Sequence, residues 1–464
     1  MNTFKTLPPG PKTIPAIQLL QWMSNTLEYM DSARQKYGDL FTVYLGSKSQ
    51  PTVYVSDPQA IQQIFDGESQ QFSNPGNQLF KPFLGQYSLI TLIEAEHKRH
   101  RQLIMPSFHG QHLKAYAQTI DDLIEQIFAA LTPGETFSAY GATREISGQI
   151  ILSVVLGVNK GERIRKLNQL ISSLLNYAKY PFVSSLFFFP WLRKDFGRWS
   201  PWGYVRHLMR QIDELIYAEI AERRQNYDPE RTDILNLMMG AKDEAGEALS
   251  DRELRDEVVT LVVAGQDGIA SAMAWSLYWV HHLPEVRDKL RQEIDSLGPN
   301  QNLLDITRLS YLTAVSQEIL RISPVEIQPQ PRIVKSPIKL LDYDLPIGTV
   351  VVPSIYLVHQ REDLYPEPQK FKPERFLERK FSYYEYLPFG GGSRRCIGAA
   401  FSMLIVKSII AIAVSRYQLE LKCDRPVYPT LSGLNLVPGD ALEMTFLGKR
   451  TANSHQSQTV LESI

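Results

Sequence analysis

Apolar residues recur at the spacing of helices over most of this chain, and β-branched runs are confined to shorter segments. After the proline-rich residues 7–11, the pattern predicts a helical stretch to about Tyr37. From about residue 97 to 322 it predicts almost continuous helix, and another long helix covers residues 399–417. The long helical region is interrupted at Pro133-Gly134, at 177–202 and at 226–229. These segments predict a mainly helical protein.

Strand-like runs predict a small β part. The predicted strands lie at 40–45, 52–55, 338–341 and 349–352, and in hairpin-like segments that end near Leu447. The first two runs are expected to pair as a hairpin, and the next two to pair around a turn at residues 345–348. We expect strands from both ends of the chain to join one small sheet beside the helices. The predicted fold class is therefore mainly α with a small β part, that is, α+β.

Length and composition are those of a folded globular protein. The chain has 464 residues, of which 44% are hydrophobic and 21% are charged. Its 49 Lys and Arg balance 50 Asp and Glu, which gives no sign of nucleic-acid binding. No internal repeat or Gly/Ser linker divides the sequence. We therefore expect one domain over residues 1–450, a monomeric protein, and a polar, flexible tail at 451–464.

The cysteine count and the apolar segments bear on localisation. Cys396 and Cys423 are too few for a disulfide framework, and the first residues lack the pattern of a cleaved signal. No window reaches about eighteen uninterrupted apolar residues, so no membrane span is predicted. These features predict a cytoplasmic protein. The aromatic stretch 177–202 comes nearest to a membrane segment, but charged residues interrupt it, so it could line an apolar entrance or touch a lipid surface.

The longest predicted helix starts at a capping box. Ser250 supplies the capping hydroxyl, and Glu253 follows three positions later. The helix is expected to continue to His282, and its residues 258–280 are apolar almost all round. Such a pattern is typical of a helix buried through the middle of a large protein.

Two glycines fall inside this helix, where each costs about 0.5 to 1 kcal/mol relative to alanine. Gly268 forms a stripe of small side chains with Ala264 and Ala272, and Gly265 lies beside it. The stripe permits either close packing of another helix or the approach of a flat ligand. Asp267 beside it favours the ligand, because a buried carboxylate without a partner is costly.

The second candidate feature is a loop that contains Cys396 and precedes a helix. Its sequence is Phe389-Gly390-Gly391-Gly392-Ser393-Arg394-Arg395-Cys396-Ile397-Gly398. Backbone N–H groups, the arginines and the helix N-terminus are expected to lower the pKa of the thiol and favour the thiolate, a nucleophile or a metal ligand. No histidine lies nearby as a base, no Cys/His set has zinc spacing, and no Gly-Lys-Ser/Thr marks a phosphate loop. One thiolate on one metal centre suggests haem, and a buried structural cysteine is the alternative.

The loop matches the pattern Phe-x-x-Gly-x-Arg-x-Cys-x-Gly and resembles the haem-binding loop of the cytochrome P450 superfamily. Other motifs of that family occur in the expected order, at His97 to Arg101, Ala264 to Asp267, Glu318 to Arg321 and Pro373 to Phe376. Glu-x-x-Arg alone is a weak signal, but ordered matches that extend over residues 7–447 are a strong one. The resemblance implies the cytochrome P450 fold, with haem b between the long central helix and the cysteine loop.

The resemblance also implies roles for single residues. Cys396 is implied to be the axial ligand of the haem iron, in a loop that includes Phe389 and Gly398. The residues implied to bind the haem propionates are His97, Arg101, Arg332 and Arg394, and a partly buried ion network is implied for Glu318, Arg321 and Arg375. Elementary chemistry agrees with these roles, because a buried haem carries two carboxylates that need cationic donors.

By resemblance, the protein is a haem-thiolate monooxygenase that inserts one oxygen atom of dioxygen into a C–H bond or a double bond. The implied catalytic positions are Gln266, Asp267 and Gly268. The sequence departs from the family at Gly268, where a threonine hydroxyl usually assists proton delivery. Ser271, ordered water or a substrate hydroxyl remain as donors beside Asp267. An altered proton relay, a peroxide-using enzyme and an isomerase-type member all stay open.

The substrate is expected to be lipophilic, of fatty acid, alkane or terpenoid kind. The family's substrate-contacting segments match residues 72–93, 177–202, 325–331 and 431–436, and the expected pocket residues are Val263, Ala264, Val325 and Leu434. Residues 105–109 are similar to those of soluble bacterial members. Glu326, Gln328 and Gln330 add polarity, which also admits an alcohol or a carboxylate.

A separate protein is expected to supply the electrons, and two functions other than catalysis stay open. Because no flavin domain follows the haem-domain motifs, a separate ferredoxin or flavodoxin is expected to supply electrons. One alternative is a non-catalytic haem sensor or carrier. The other is a helical scaffold in which the glycines and the cysteine serve packing alone.

Overall fold

The computed structural model describes residues 7–45, 50–68, 70–157, 161–180, 183, 186, 190–298, 302–423, 425–432, 435–439 and 442–450. Its α-helices are α1 Pro15–Ser24, α2 Thr26–Tyr37, α3 Pro58–Asp66, α4 Lys81–Leu84, α5 Glu94–Ile104, α6 Gly110–Ala129, α7 Ala139–Leu156, α8 Glu162–Ala178, α9 Pro201–Gln225, α10 Ile234–Gly240, α11 Asp251–His282, α12 Pro284–Asp295, α13 Leu303–Ile306, α14 Ser310–Ile322, α15 Ile355–His359, α16 Arg375–Glu378 and α17 Ala399–Arg416. The predicted mainly helical architecture is confirmed.

The strands are short and lie between and after the helices. They are β1 Leu40–Val43, β2 Thr52–Val55, β3 Phe72–Ser73, β4 Thr136–Ser138, β5 Arg332–Val334, β6 Ile338–Leu340, β7 Tyr343–Leu345, β8 Val350–Pro353, β9 Tyr417–Leu421, β10 Thr430–Ser432, β11 Asn435–Val437 and β12 Glu443–Lys449. Residues 451–464, predicted as a flexible tail, lie outside the described part of the chain.

Helix α11 begins and ends where the sequence predicts. The Ser250 hydroxyl accepts a hydrogen bond from the Glu253 N–H over 3.3 Å, and the Glu253 carboxylate accepts one from the Ser250 N–H over 2.7 Å. This reciprocal pair satisfies two N–H groups that would otherwise lack partners at the helix start. Over its 32 residues α11 packs against α7, α9 and α17, and it passes through the main apolar core.

The largest described sheet has the strand order β1-β2-β8-β5-β3. The predicted hairpin is confirmed, since β1 and β2 are antiparallel with Leu40 opposite Val55. Strand β8 joins β2 in parallel, and Val350 lies beside Thr52. Strands from residue 332 onwards therefore complete the sheet that the N-terminal hairpin starts, as expected.

Two predicted strand pairings are wrong. Strand β6 pairs with β7 and not with β8, and the turn predicted at 345–348 begins at the last residue of β7. The last strands, β9 and β12, form a separate sheet with β4 in the order β4-β12-β9. Strand pairing depends on contacts between distant residues, and three-residue strands leave little periodic signal in a sequence.

Two helices, α11 and α17, are long and apolar enough by composition to cross a membrane. However, 67% and 61% of the most apolar 18-residue stretch of each helix is buried inside the protein, as in the core helices of globular folds. Two such helices are therefore weak evidence for a membrane span.

Candidate active site

The cysteine loop is closed by its own backbone and stands in front of helix α17. Gly390 and Gly392 have φ angles of 66° and 65°, which side-chain-bearing residues rarely adopt. The Cys396 N–H donates a hydrogen bond to the Phe389 carbonyl over 2.9 Å. Helix α17 follows at Ala399, directly after Gly398. The thiol is thereby held at a tight turn near a helix N-terminus.

Glu68 fixes this loop to the rest of the fold. Its carboxylate accepts one hydrogen bond from the Ser393 N–H and another from the Arg332 Nε, each over 2.6 Å. The sequence analysis missed Glu68, because its partners lie at least 264 residues away and no motif surrounds it. A Cβ at Gly391 would lie 2.2 Å from the Phe65 ring, so glycine is required for the loop to approach helix α3.

The Cys396 side chain lies on the wall of an internal cleft, since it is solvent-accessible although protein atoms surround it. Burial raises the pKa of the thiol and is the largest influence on it. The Gly398 N–H and the guanidinium groups of Arg101 and Arg395 lower the pKa, and the Glu326 carboxyl raises it. The net shift is upward, so the predicted lowering is wrong in the protein alone. A bound metal ion would itself favour the thiolate.

Helix α11 presents small side chains to accessible space along part of its length. Beyond its first two residues the helix is buried or half-buried except at Ala264, which is exposed, and Gly268 is half-buried. A Cβ at Gly268 would meet only the Val325 side chain, 3.8 Å away, whereas a Cβ at Gly265 would lie 2.7 Å from the Ile151 Cδ1. Gly265 therefore permits close helix packing, whereas Gly268 borders open space.

The polar residues of α11 have partners on neighbouring elements. Asp267 accepts a hydrogen bond from the Arg144 Nε of helix α7 over 3.1 Å. The Gln266 side chain donates weakly to Ser172 of helix α8 over 3.4 Å, so it lies between helices. The Ser271 hydroxyl donates to a backbone carbonyl, that of Leu436, over 2.6 Å and is fully buried. Sequence reasoning missed Arg144 because it belongs to none of the motifs.

The four side chains predicted to bind the haem propionates cluster near Cys396 and Glu68. They are His97, Arg101, Arg332 and Arg394. Burial, followed by the charges of Arg394 and Arg101, lowers the pKa of His97 to about 3, so this imidazole is neutral at neutral pH. Burial and the charge of Arg332 lower the pKa of Arg394 to about 10.

The cluster has more donors than acceptors. Arg332 pairs with Glu68 and is fully buried. The guanidinium group of Arg101 has no hydrogen bond or ion pair within the described part of the chain, and the buried Nε of Arg394 also has no partner there. A ligand with two carboxylates would satisfy these groups.

The predicted ion network is present and is buried more completely than expected. Arg321 Nε and Nη2 donate to the two Glu318 oxygens over 2.7 and 2.8 Å, a bidentate pair one helical turn apart on α14. Arg375 Nε donates to Glu318 over 3.3 Å. The three side chains are 0%, 0% and 8% exposed.

Three of the predicted pocket residues lie around α11: Val263 is half-buried, Ala264 is exposed and Val325 packs opposite Gly268. Leu434 lies outside the described residues. In the aromatic stretch 177–202, Tyr177 and Tyr180 line a cavity of about 570 Å³, but residues 181–182, 184–185 and 187–189 are not described.

Comparisons with known proteins decide the family. The family model for cytochrome P450 matches residues 8–441. The chain belongs to the cytochrome P450 family. It is 32% identical to cytochrome P450 135B1 of Mycobacterium tuberculosis, over 93% of this chain and 89% of the relative. It is 31% identical to cytochrome P450 135A1 of the same species, over 86% and 85% of the two chains.

A solved structure shares the fold of this P450. Retinoic acid-bound cyanobacterial CYP120A1 superimposes with a TM-score of 0.82 and covers 96% of this chain and 100% of its own, at 21% identity. The P450 fold predicted from the motifs is therefore confirmed.

This P450 is a haem-thiolate monooxygenase, an oxidoreductase that binds haem b. The described residues fit that cofactor, because an accessible thiol shares a cleft with a cluster of cationic side chains whose one anionic partner among the described residues is Glu68. When bound, haem supplies the activation of dioxygen and the transfer of one oxygen atom to the substrate. The chain's own contribution is to position the thiol, balance the carboxylates and enclose the substrate.

Proposed function

We propose that this P450 hydroxylates or epoxidises a lipophilic substrate of fatty acid, alkane or terpenoid kind, with electrons from a separate ferredoxin or flavodoxin. The exposed Ala264, whose neighbours along the helix are buried or half-buried, carries this proposal. Val263 precedes it on the helix, and beside Gly268 one turn later Val325 is the only neighbour that a Cβ would meet within 4 Å among the described residues. An apolar wall of this kind binds hydrocarbon groups and excludes water. The free cysteines of the described chain support a reducing, cytoplasmic setting.

We assign the residues of the cleft as follows. Cys396 ligates the iron, and Phe389 and Gly398 hold the loop that carries it. The haem propionates are bound by His97, Arg101, Arg332 and Arg394. Asp267 remains the acid of the proton relay, and its ion pair with Arg144 holds the carboxylate at helix α7.

Product analysis tests this function. The purified holoprotein is supplied with a ferredoxin, its reductase and reduced nicotinamide, and is incubated with dodecane, dodecanoate and a monoterpene. We expect an oxygenated product that contains one atom from labelled dioxygen. Consumption of reductant without oxygenated product from any of these substrates would count against the lipophilic class. A correctly loaded haem that accepts no electrons would favour a haem sensor or carrier.

Gly268 favours a second candidate, a peroxide-dependent or isomerase-type P450. The position has no hydroxyl, and Ser271, which the sequence left as a substitute, donates instead to the Leu436 carbonyl. Proton delivery then depends on Asp267 with ordered water or with a group of the substrate. Product formed with hydrogen peroxide as efficiently as with dioxygen and electrons would support this candidate.

The Gly268→Thr variant is expected to fold normally and to release a smaller share of its electrons as hydrogen peroxide. Space is available, since the nearest side-chain atom would lie 3.8 Å from the new Cβ. The added hydroxyl restores a hydrogen-bond donor beside Asp267. The measurement is hydrogen peroxide formed per reduced nicotinamide consumed, and we expect it to fall several-fold, the scale of one neutral hydrogen bond.

Gly265→Thr is the matched control on the same helix. Its Cβ would lie 2.7 Å from Ile151, so overpacking is expected to destabilise the fold by about 1 to 3 kcal/mol. An unchanged peroxide yield in a folded Gly268→Thr protein would mean that the missing hydroxyl does not limit coupling.

The Arg101→Gln variant is expected to bind haem about tenfold or more weakly, because it removes one charge-assisted hydrogen bond to a carboxylate. Arg101 has no partner in the described chain, so its loss breaks no contact of the fold itself. The measurement is the rate of haem transfer to apomyoglobin. Lys98→Gln, on the exposed side of the same helix α5, is the control. Equal haem loss from both variants would refute the role of Arg101.

A further inference from the structure

Glu326 lies on an extended segment between helix α14 and strand β5. The Leu436 N–H donates to the Val325 carbonyl over 2.7 Å, and Glu326 forms a β-bridge with Asn435. The neighbouring side chains are apolar and packed: Val325 lies against Gly268 of α11, and Ile327 is 5% exposed. The backbone that carries Glu326 is therefore fixed on both sides.

The Glu326 side chain lines the same internal cleft as Cys396. It is accessible although protein atoms surround it, and its charge acts on the Cys396 thiol. Within the described chain, no group donates a hydrogen bond to its carboxyl oxygens or forms an ion pair with them. Burial raises the pKa of Glu326 to about 7, and no neighbouring cation opposes this. An enclosed carboxyl group without a partner is costly to the fold.

Other enclosed carboxyl groups of this P450 have protein partners. Glu318 forms a bidentate pair with Arg321, and Glu257, which is fully buried, accepts a hydrogen bond from the Leu89 N–H over 3.2 Å. Each of these groups joins two parts of the fold. The carboxyl group of Glu326 joins none within the described residues, so a structural role does not account for it. A ligand in the cleft is the partner that remains.

We propose that Glu326 binds the hydroxyl group of a neutral, lipophilic substrate, and thereby selects alcohols over alkanes and free fatty acids. This inference rests on the lipophilic substrate class proposed above. A carboxyl oxygen that accepts a hydrogen bond from a hydroxyl gains the partner it lacks in the protein. An alkane offers no donor, and a fatty acid would bring a second negative charge into the enclosed cleft. A cationic ligand would have to lose its water against the apolar wall of Val263, Ala264 and Val325.

Ligand binding to the purified ferric holoprotein tests the proposal without turnover. Dissociation constants are measured at neutral pH from the change in the Soret band. The probes are dodecanol, dodecane, dodecanoate and dodecyltrimethylammonium, which share one chain length. We expect dodecanol to bind about tenfold or more tightly than dodecane, the scale of one hydrogen bond to a charged or strongly polar acceptor.

Two variants locate this preference at one side chain. Glu326→Leu is expected to bind dodecanol and dodecane equally. Glu326→Gln keeps an acceptor oxygen and removes the negative charge, so it is expected to retain the preference for dodecanol and to bind dodecanoate more tightly than wild type does. Glu420→Leu, which removes an exposed carboxylate on strand β9, is the matched control and should behave as wild type. The carbon monoxide difference spectrum of each variant reports whether it is correctly loaded with haem.

The outcomes separate the two proposals. Equal binding of dodecanol and dodecane by the wild-type protein, or an unchanged preference in Glu326→Leu, overturns the role of Glu326 and leaves the lipophilic substrate standing. If dodecanol, dodecane and dodecanoate all fail to change the spectrum, the lipophilic substrate class itself is wrong. If dodecyltrimethylammonium binds most tightly of the four probes, the proposal that the ligand is neutral is overturned. If Glu326→Leu does not load haem, the Glu326→Gln variant tests the proposal instead. Dodecanoate binding no tighter than in the wild-type protein then overturns the role of Glu326.

Discussion

Replacing Cys396 by alanine is expected to abolish the long-wavelength Soret band of the reduced carbon monoxide complex and all monooxygenase turnover. Within the described chain, the loop holds this thiol in the cleft by the hydrogen bond from the Cys396 N–H to Phe389 and by the contact of Gly391 with Phe65. Thiolate ligation donates the electron density that favours O–O bond cleavage, and an alanine methyl group supplies none. The measurement is the carbon monoxide difference spectrum of the dithionite-reduced protein, followed by the turnover assay.

Cys423→Ala is the matched control, because Cys423 is the second cysteine of the chain and is exposed just after strand β9. Its spectrum and turnover should equal those of the wild-type protein. A long-wavelength band that persists in Cys396→Ala would show that another side chain ligates the iron. Loss of the band in Cys423→Ala would show that the assignment of the two cysteines is reversed.

The Arg321→Ala variant is expected to lose about 3 to 5 kcal/mol of unfolding free energy and to retain little haem. Arg321 is fully buried, donates twice to Glu318 and donates once more to the His359 carbonyl over 2.8 Å. Its removal leaves the Glu318 carboxylate buried with only the longer hydrogen bond from Arg375 and one from the Lys372 N–H. The measurements are urea unfolding of the holoprotein followed by circular dichroism, and the haem content after purification.

Arg308→Ala is the control for this prediction. Arg308 and Asp305 are also an arginine and a carboxylate three residues apart, but they are 69% and 51% exposed and 3.5 Å apart. Removing such a pair is expected to change the unfolding free energy by less than about 0.5 kcal/mol. Arg321→Lys keeps the charge but not the two parallel hydrogen bonds, so it is expected to lie between wild type and Arg321→Ala. Similar effects of Arg308→Ala and Arg321→Ala would remove burial as the cause.

How closely the sequence predicts the structure differs from one element to the next. The capping box at Ser250 predicts the start of α11, because the two hydrogen bonds join residues three positions apart. The closed cysteine loop and the Glu318–Arg321 pair are also local, and both are found as expected. By contrast, the sequence pattern paired the run at 349–352 with the run at 338–341, whereas β8 lies beside β2, about three hundred positions earlier, and β6 pairs with β7.

The residues of the candidate site also divide into those that a sequence motif reveals and those that only the folded structure reveals. Motif spacing finds Cys396, whereas the direction of its pKa shift was predicted wrongly, because burial of the thiol is a property of the whole fold. Neither Glu68 nor Arg144 belongs to a motif, although one fixes the cysteine loop and the other pairs with Asp267. The two glycines of α11 are alike in sequence, and only their neighbours in space distinguish them.

The sequence by itself determined the ends of helix α11, the cysteine loop and the family, because hydrogen bonds and side-chain periodicity over a few residues are encoded locally. The tertiary structure decided which strands pair, which carboxyl groups find partners and which side chains line the cleft. Those outcomes depend on contacts between segments far apart in the chain, and on burial, which changes the free energy of every charged group that it encloses. Glu326 shows the difference, since its polarity is visible in the sequence but its lack of a partner is visible in the folded structure alone.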